Sequence, residues 1–127
     1  MELDIMPFDQ ALADRLTTAL AGKHDLDETR MFGGFGFMWH GNMCCGVHRG
    51  YLMLRLGVAN YDDLTKRCSA LRPMDFTGKV MRGWGMIEGT KCSDEEFELL
   101  TRASLAFVQT LPENKAKTPI SRKTPQR

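Results

Sequence analysis

The residues most capable of chemistry crowd into one short stretch, Cys44, Cys45 and His48. A thiol beside an imidazole is what a cysteine nucleophile needs, and thiols with an imidazole are also zinc donors. Spacing argues against both uses. Strand neighbours point to opposite faces, and Cys44 and His48, which share a face, stand roughly 13 Å apart at ~3.3 Å per residue. No Cys-x-x-Cys or His-x-x-x-His spacing occurs. Met43 and Val47 place the thiols in an apolar setting that keeps them protonated. Cys92 precedes a helix whose N-terminus favours a thiolate, but Asp94, Glu95 and Glu96 oppose it. The four cysteines (Cys44, Cys45, Cys68, Cys92) are therefore expected to be free buried thiols. No residue is assigned to catalysis, to a metal or to a cofactor.

Phosphate loops fail a similar test. Gly33-Gly34-Phe35-Gly36 and Gly83-Trp84-Gly85 have neither Walker nor Gly-x-Gly-x-x-Gly spacing, and neither opens a helix. Glycines among bulky aromatics fit bulges or close backbone packing.

Three amphipathic segments and a strand meander must position these residues. Phe8, Leu12, Leu16 and Leu20 recur every fourth residue, with Asp9 as N-cap and Gly22 as terminator. The second helix runs from Asn60 as cap through Tyr61, Leu64, Cys68 and Leu71. The third opens on the capping-box pair Ser93 and Glu96, with Cys92 and Phe97 as staple. Its stripe is Phe97, Leu100, Ser104, Phe107, Val108 and Leu111, and Pro112 stops it. Strands are predicted at 30–40, 43–48 and 51–56, turning at Gly41-Asn42 and Arg49-Gly50, then at 74–76 and 80–88 around Thr77-Gly78. The order α-β-β-β-α-β-β-α predicts an α+β domain with an antiparallel five-stranded sheet and flanking helices.

Two-residue turns set Trp39 opposite Cys44, Phe37 opposite Gly46, Val47 opposite Leu52 and Cys45 opposite Leu54. One face then carries Met38, Met43, Cys45, Val47, Leu52, Leu54 and Leu56, a seat for helices. The other carries Phe35, Phe37, Trp39, Cys44, His48, Tyr51, Met53 and Arg55. A sheet covered on one side should be polar on the other, and this one is not. Phe35, Phe37, Trp39, Tyr51, Met53 and Arg55 are the candidate interface, since aromatics, Met and Arg are favoured in interface cores. A helix or loop of the same chain is the competing cover. A bulge at Gly33 to Gly36 would shift the register.

Charge divides the chain. The stretch 112–127 carries Lys115, Lys117, Arg122, Lys123 and Arg127 against Glu113, a net of +4, leaving −3 over 1–111 from a total of +1. A mildly acidic body argues against a domain whose main task is gripping phosphates. The expected organisation is one domain over 1–111 and a basic disordered tail over 112–127, with those five basic residues as candidate non-specific nucleic-acid contacts. No apolar run reaches membrane-spanning length, and the start, with Glu2 and Asp4, lacks the basic region of a secretory signal. A cytoplasmic protein without a membrane partner is expected.

The run Arg30-Met31-Phe32-Gly33-Gly34, followed by Gly41-Asn42-Met43-Cys44-Cys45-Gly46-Val47, resembles the opening signature of the TfoX/Sxy family's N-terminal domain. Arg72-Pro73-Met74-Asp75-Phe76-Thr77-Gly78 and Met81-Arg82-Gly83 extend the resemblance over roughly residues 8–111. It implies a five-stranded antiparallel sheet with flanking helices, and structural roles for the motif residues, Arg30, Met31, Phe32, Gly33, Gly34, Gly46, Pro73, Met74, Phe76, Met81 and Gly83. It supplies no catalytic residue. Two-domain members regulate natural competence with a transcription activator at promoters, and the resemblance here reaches only the first of those domains. The reading is a non-enzymatic regulatory module that contacts a protein, itself or a transcription factor. A nucleic-acid-binding regulator using the basic tail and a thiol-dependent enzyme are the alternatives.

Overall fold

The structure, a computed structural model, describes residues 8–20, 25–31, 34–75 and 78–113. Among these residues, helix α1 spans Gln10–Ala19, α2 Val58–Thr65 and α3 Asp94–Val108. The strands are β1 Leu26–Met31, β2 Gly34–Trp39, β3 Asn42–His48, β4 Tyr51–Arg55, β5 Arg72–Pro73 and β6 Trp84–Glu88. They form one antiparallel sheet in the order β1-β2-β3-β4-β6-β5. The α+β class agrees with the sequence reading, but the sheet has six strands rather than five. The added strand is β1, which lies mostly before the predicted 30–40 strand and pairs antiparallel with β2.

The helix ends follow their capping chemistry. The Asp9 carboxylate accepts from Leu12 N–H at 3.2 Å. Ser93 and Glu96 form the full capping box, each side chain accepting from the other's backbone N–H at 3.1 Å. Cys92 and Phe97 are both buried beside it. The expected cap of α2 is corrected: Gly57 holds that position, and Asn60 lies inside the helix, its amide donating to the Leu56 carbonyl at 2.9 Å. The second hairpin also differs, because Arg72 and Pro73 pair with Met86 and Gly85 and the connection between them is long. Gly22 and Thr77 lie outside the described residues.

The largest correction concerns register. The β2–β3 turn is His40-Gly41, with φ of 49° and 82°, not Gly41-Asn42. Both central residues of such a turn need positive φ, which Gly41 takes freely. Trp39 thus faces Asn42 and Met38 faces Met43, but Phe37 faces Cys45, Gly36 faces Gly46 and Phe35 faces Val47. Cys44 is the extra residue of a β-bulge. A slip of one residue turns every side chain of a strand over. Phe35, Phe37 and Trp39 therefore turn to the helix side, and Met38 and Met43 turn away from it. The β3–β4 hairpin keeps the predicted register, with Val47 opposite Leu52 and Cys45 opposite Leu54.

One core lies between the sheet and the helices. Leu12 and Leu16 of α1, Leu64 of α2, and Phe97, Leu100 and Val108 of α3 share it with Phe35, Phe37, Cys45, Val47, Leu52, Leu54 and Ile87. No helix among the described residues is long and apolar enough to cross a membrane.

Candidate functional site

The bulge decides the fate of the thiols. By breaking the alternation at Cys44 it sends both Cys44 and Cys45 into the helix-side core, each with no exposed surface. His48 stays on the opposite face with Gly46 and Met53. The Cys44–His48 pairing that an enzyme or a zinc site would use is therefore split across the sheet. Among the described residues no group of three or more His, Cys, Asp or Glu side chains is arranged to hold a metal ion.

Ser104 of α3 closes this part of the core. Its hydroxyl lies 2.6 Å from the Cys44 carbonyl, 2.9 Å from the Arg55 carbonyl and 3.5 Å from the Cys44 sulfur. The hydroxyl donates to these carbonyls, and either the hydroxyl or the Cys44 thiol can donate across the longer contact between them. The two neighbouring thiols move apart: the hydrogen bond from Cys45, with a smaller one from Ser104, lowers the Cys44 thiol against the opposing effect of burial, and the Cys45 thiol is pushed well up by that same bond, then by burial. Burial also raises Cys68 and pushes Cys92 up to about 11, where the nearby Arg15 opposes the shift and Glu96 and Asp94 reinforce it. Burial thus outweighs the opposing Arg15 charge at Cys92. All four cysteines are free and buried.

Arg15 occupies a groove between α1 and α3 lined by Asp14, Thr18, Phe97 and Glu98. Its guanidinium stacks 4.4 Å from the Phe97 ring centroid, donates to the Gly89 and Cys92 carbonyls at 3.3 Å, and meets Asp94 at 3.1 Å. Those partners make it a clasp between the first helix and the start of the third.

The other face of the sheet has a different chemistry. Side-chain alternation puts Met38 on it from β2, Met43 from β3, Tyr51, Met53 and Arg55 from β4, and Trp84, Met86 and Glu88 from β6. Met53 and Met86 are directly opposed, as are Arg55 and Trp84, whose guanidinium carbon and ring centroid are 5.9 Å apart. Met38 and Met86 are buried, yet both stand outside the cluster that holds the helices. Met43, Met53, Arg55 and Trp84 are partly exposed. Gly36 and Gly46 form the floor beneath the Met43 methyl: a Cβ on Gly36 would lie 2.8 Å from the Cys45 carbonyl oxygen and one on Gly46 2.6 Å from that of Phe35, so the backbone itself requires glycine at both. His48 lies lower on the same face, its imidazole pKa reduced by burial and then by Arg49.

The six candidate interface residues therefore divide. Tyr51, Met53 and Arg55 stand together on the outer face. Phe35 and Phe37 are core residues in edge-to-face contact with centroids 5.4 Å apart, and Trp39 packs at the core margin, stacked on His40 at 3.8 Å. Trp84, Met86, Met38 and Met43 belong to the outer face and were absent from the sequence-based set. The alternation of Trp84, Met86 and Glu88 was a usable signal for the first two.

The motif residues hold junctions. Arg30 lies over the rings of Phe8 and Phe35 at 5.5 and 5.7 Å. Gly34 is buried in β2, and Gly46 faces Gly36. Pro73 pairs β5 to β6, and the Met74 carbonyl accepts from Met81 N–H at 3.0 Å. The Gly83 carbonyl accepts from Leu56 and Gly57 N–H at 2.8 and 2.9 Å, tying the end of β4 to the start of β6. Met31 lies in β1, while Phe32, Gly33, Phe76 and the tail residues Lys115, Lys117, Arg122, Lys123 and Arg127 lie outside the described residues.

No curated protein and no solved structure gives a match to the chain. The family model of the TfoX N-terminal domain matches residues 18–108, from within α1 to the end of α3, taking in the whole sheet. With most of the chain covered, this protein belongs to the TfoX N-terminal domain family.

Proposed function

We propose that this chain is a non-enzymatic regulatory module that docks a protein partner on the outer face of its sheet. The observation that carries the reading is the patch of partly exposed Met43, Met53, Trp84 and Arg55 on the side away from the helix-bearing core. Methionine adapts its shape to a partner, and aromatic and arginine side chains are enriched in interface cores. Membership of the family supports a regulatory role, of the kind its two-domain members play beside a transcription activator. The burial and raised pKa of Cys45, Cys68 and Cys92 support a structural use of these thiols.

The test is affinity capture from the native cell with the intact chain, M53E and A106E, the last an exposed position on α3. A species retained by the intact chain and A106E but lost with M53E is expected. Equal retention by all three would place the contact elsewhere and overturn the reading.

A further inference from the structure

The edge strand β1 offers a second surface, independent of the outer-face reading. Among the described residues β1 pairs on one side only, with β2. It is six residues long, and such an edge presents unpaired N–H and C=O groups to any strand that can match it. Charges on an edge usually repel a partner strand, so what matters is whether those of β1 clash or pair.

We propose that β1 pairs antiparallel with β1 of a second copy of this chain, with Thr29 on the two-fold axis. Residues directly opposite each other in an antiparallel pair point to the same face. A two-fold axis perpendicular to the sheet keeps each copy's helices on one side, so the axis must pass through a residue and not between two. Centring it on Asp27, Glu28 or Arg30 sets that charge against its own copy. Centring it on Thr29 sets Glu28 against Arg30, and symmetry makes the same pair twice. Both residues are exposed and on the helix side, where they face Phe37 and Phe35 of β2. Arg30 is held there by the rings of Phe8 and Phe35, which limits the freedom its guanidinium loses on meeting Glu28. The two sheets then run on as one, with a strand spacing of ~4.8 Å across the junction.

Sedimentation velocity on the full chain tests this through a charge swap. The wild type is expected to dimerise reversibly, more weakly as salt rises. E28R and R30E each set like charges opposite one another and should raise the dimer dissociation constant about tenfold or more, while E28R/R30E restores it. T29C on the axis should link two copies under mild oxidation, whereas D27C should not. A wild type that stays monomeric at high concentration, or a folded double variant that stays dissociated, overturns the proposal. If R30E fails to fold once Arg30 leaves its rings, E28R and the two cysteine variants still decide. Equal linking at positions 27 and 29 counts against the register.

Discussion

The two faces of this sheet are both apolar, yet they are built differently. The helix side uses branched and aromatic side chains, with Val47, Leu52, Leu54 and Ile87 wholly buried and Phe35 and Phe37 nearly so. The outer side uses methionine, a glycine track and an arginine on a tryptophan. Branched and aromatic groups hold defined rotamers and specify one packing, whereas methionine accommodates several. The contrast teaches that apolar character alone does not separate a core from a contact surface. The type of apolar side chain does.

The contrast can be broken from the core side first. Phe37→Ala should lower stability by roughly 3–5 kcal/mol, because it opens a cavity between β2 and the helices. A chemical denaturation midpoint reads this directly. Ser104→Ala should cost about 1–3 kcal/mol, since the carbonyls of Cys44 and Arg55 lose a buried donor. A fall within that range supports the view that the bulge needs its polar clasp.

A pH series gives a smaller effect. Cys92 is raised from 9.0 to about 11 by burial, so the folded state favours its protonated form. Its contribution is fully present below pH 9 and is lost as pH rises through about 11. The melting temperature should fall across that window, and less so in Cys92→Ala. Alkylation of Cys92 at neutral pH should be slow for the same reason. The smallest stability change is expected on the outer face: Met53→Glu should shift folding by less than about 1 kcal/mol. A large loss for Met53→Glu would show that this face is core rather than contact surface.

Much of this architecture was legible in the sequence, for local reasons. Asp9, Ser93 and Glu96 mark helix starts through their own hydrogen bonds, and the β3–β4 register follows from the Arg49-Gly50 turn. Strand β1 was not legible as a separate element because Leu-Asp-Glu-Thr-Arg-Met lacks apolar alternation, as an exposed edge strand can. The β2–β3 register was hidden by two coupled features, a turn at His40-Gly41 and the bulge at Cys44. Asn42 looked like a turn residue. In the strand its amide donates to the Pro112 carbonyl at 2.9 Å, a contact 70 residues away that no local pattern announces. That displaced register explains why the outer face was foreseen as apolar but assigned the wrong β2 residues.

The most direct test of the outer-face docking claim places a photoreactive amino acid at Met53 or at Ala106 and irradiates living cells of the native host. A discrete adduct of higher mass is expected from position 53 and none of comparable yield from position 106. Adducts from position 106 alone, or no adduct from position 53 while the folded protein is abundant, would contradict it.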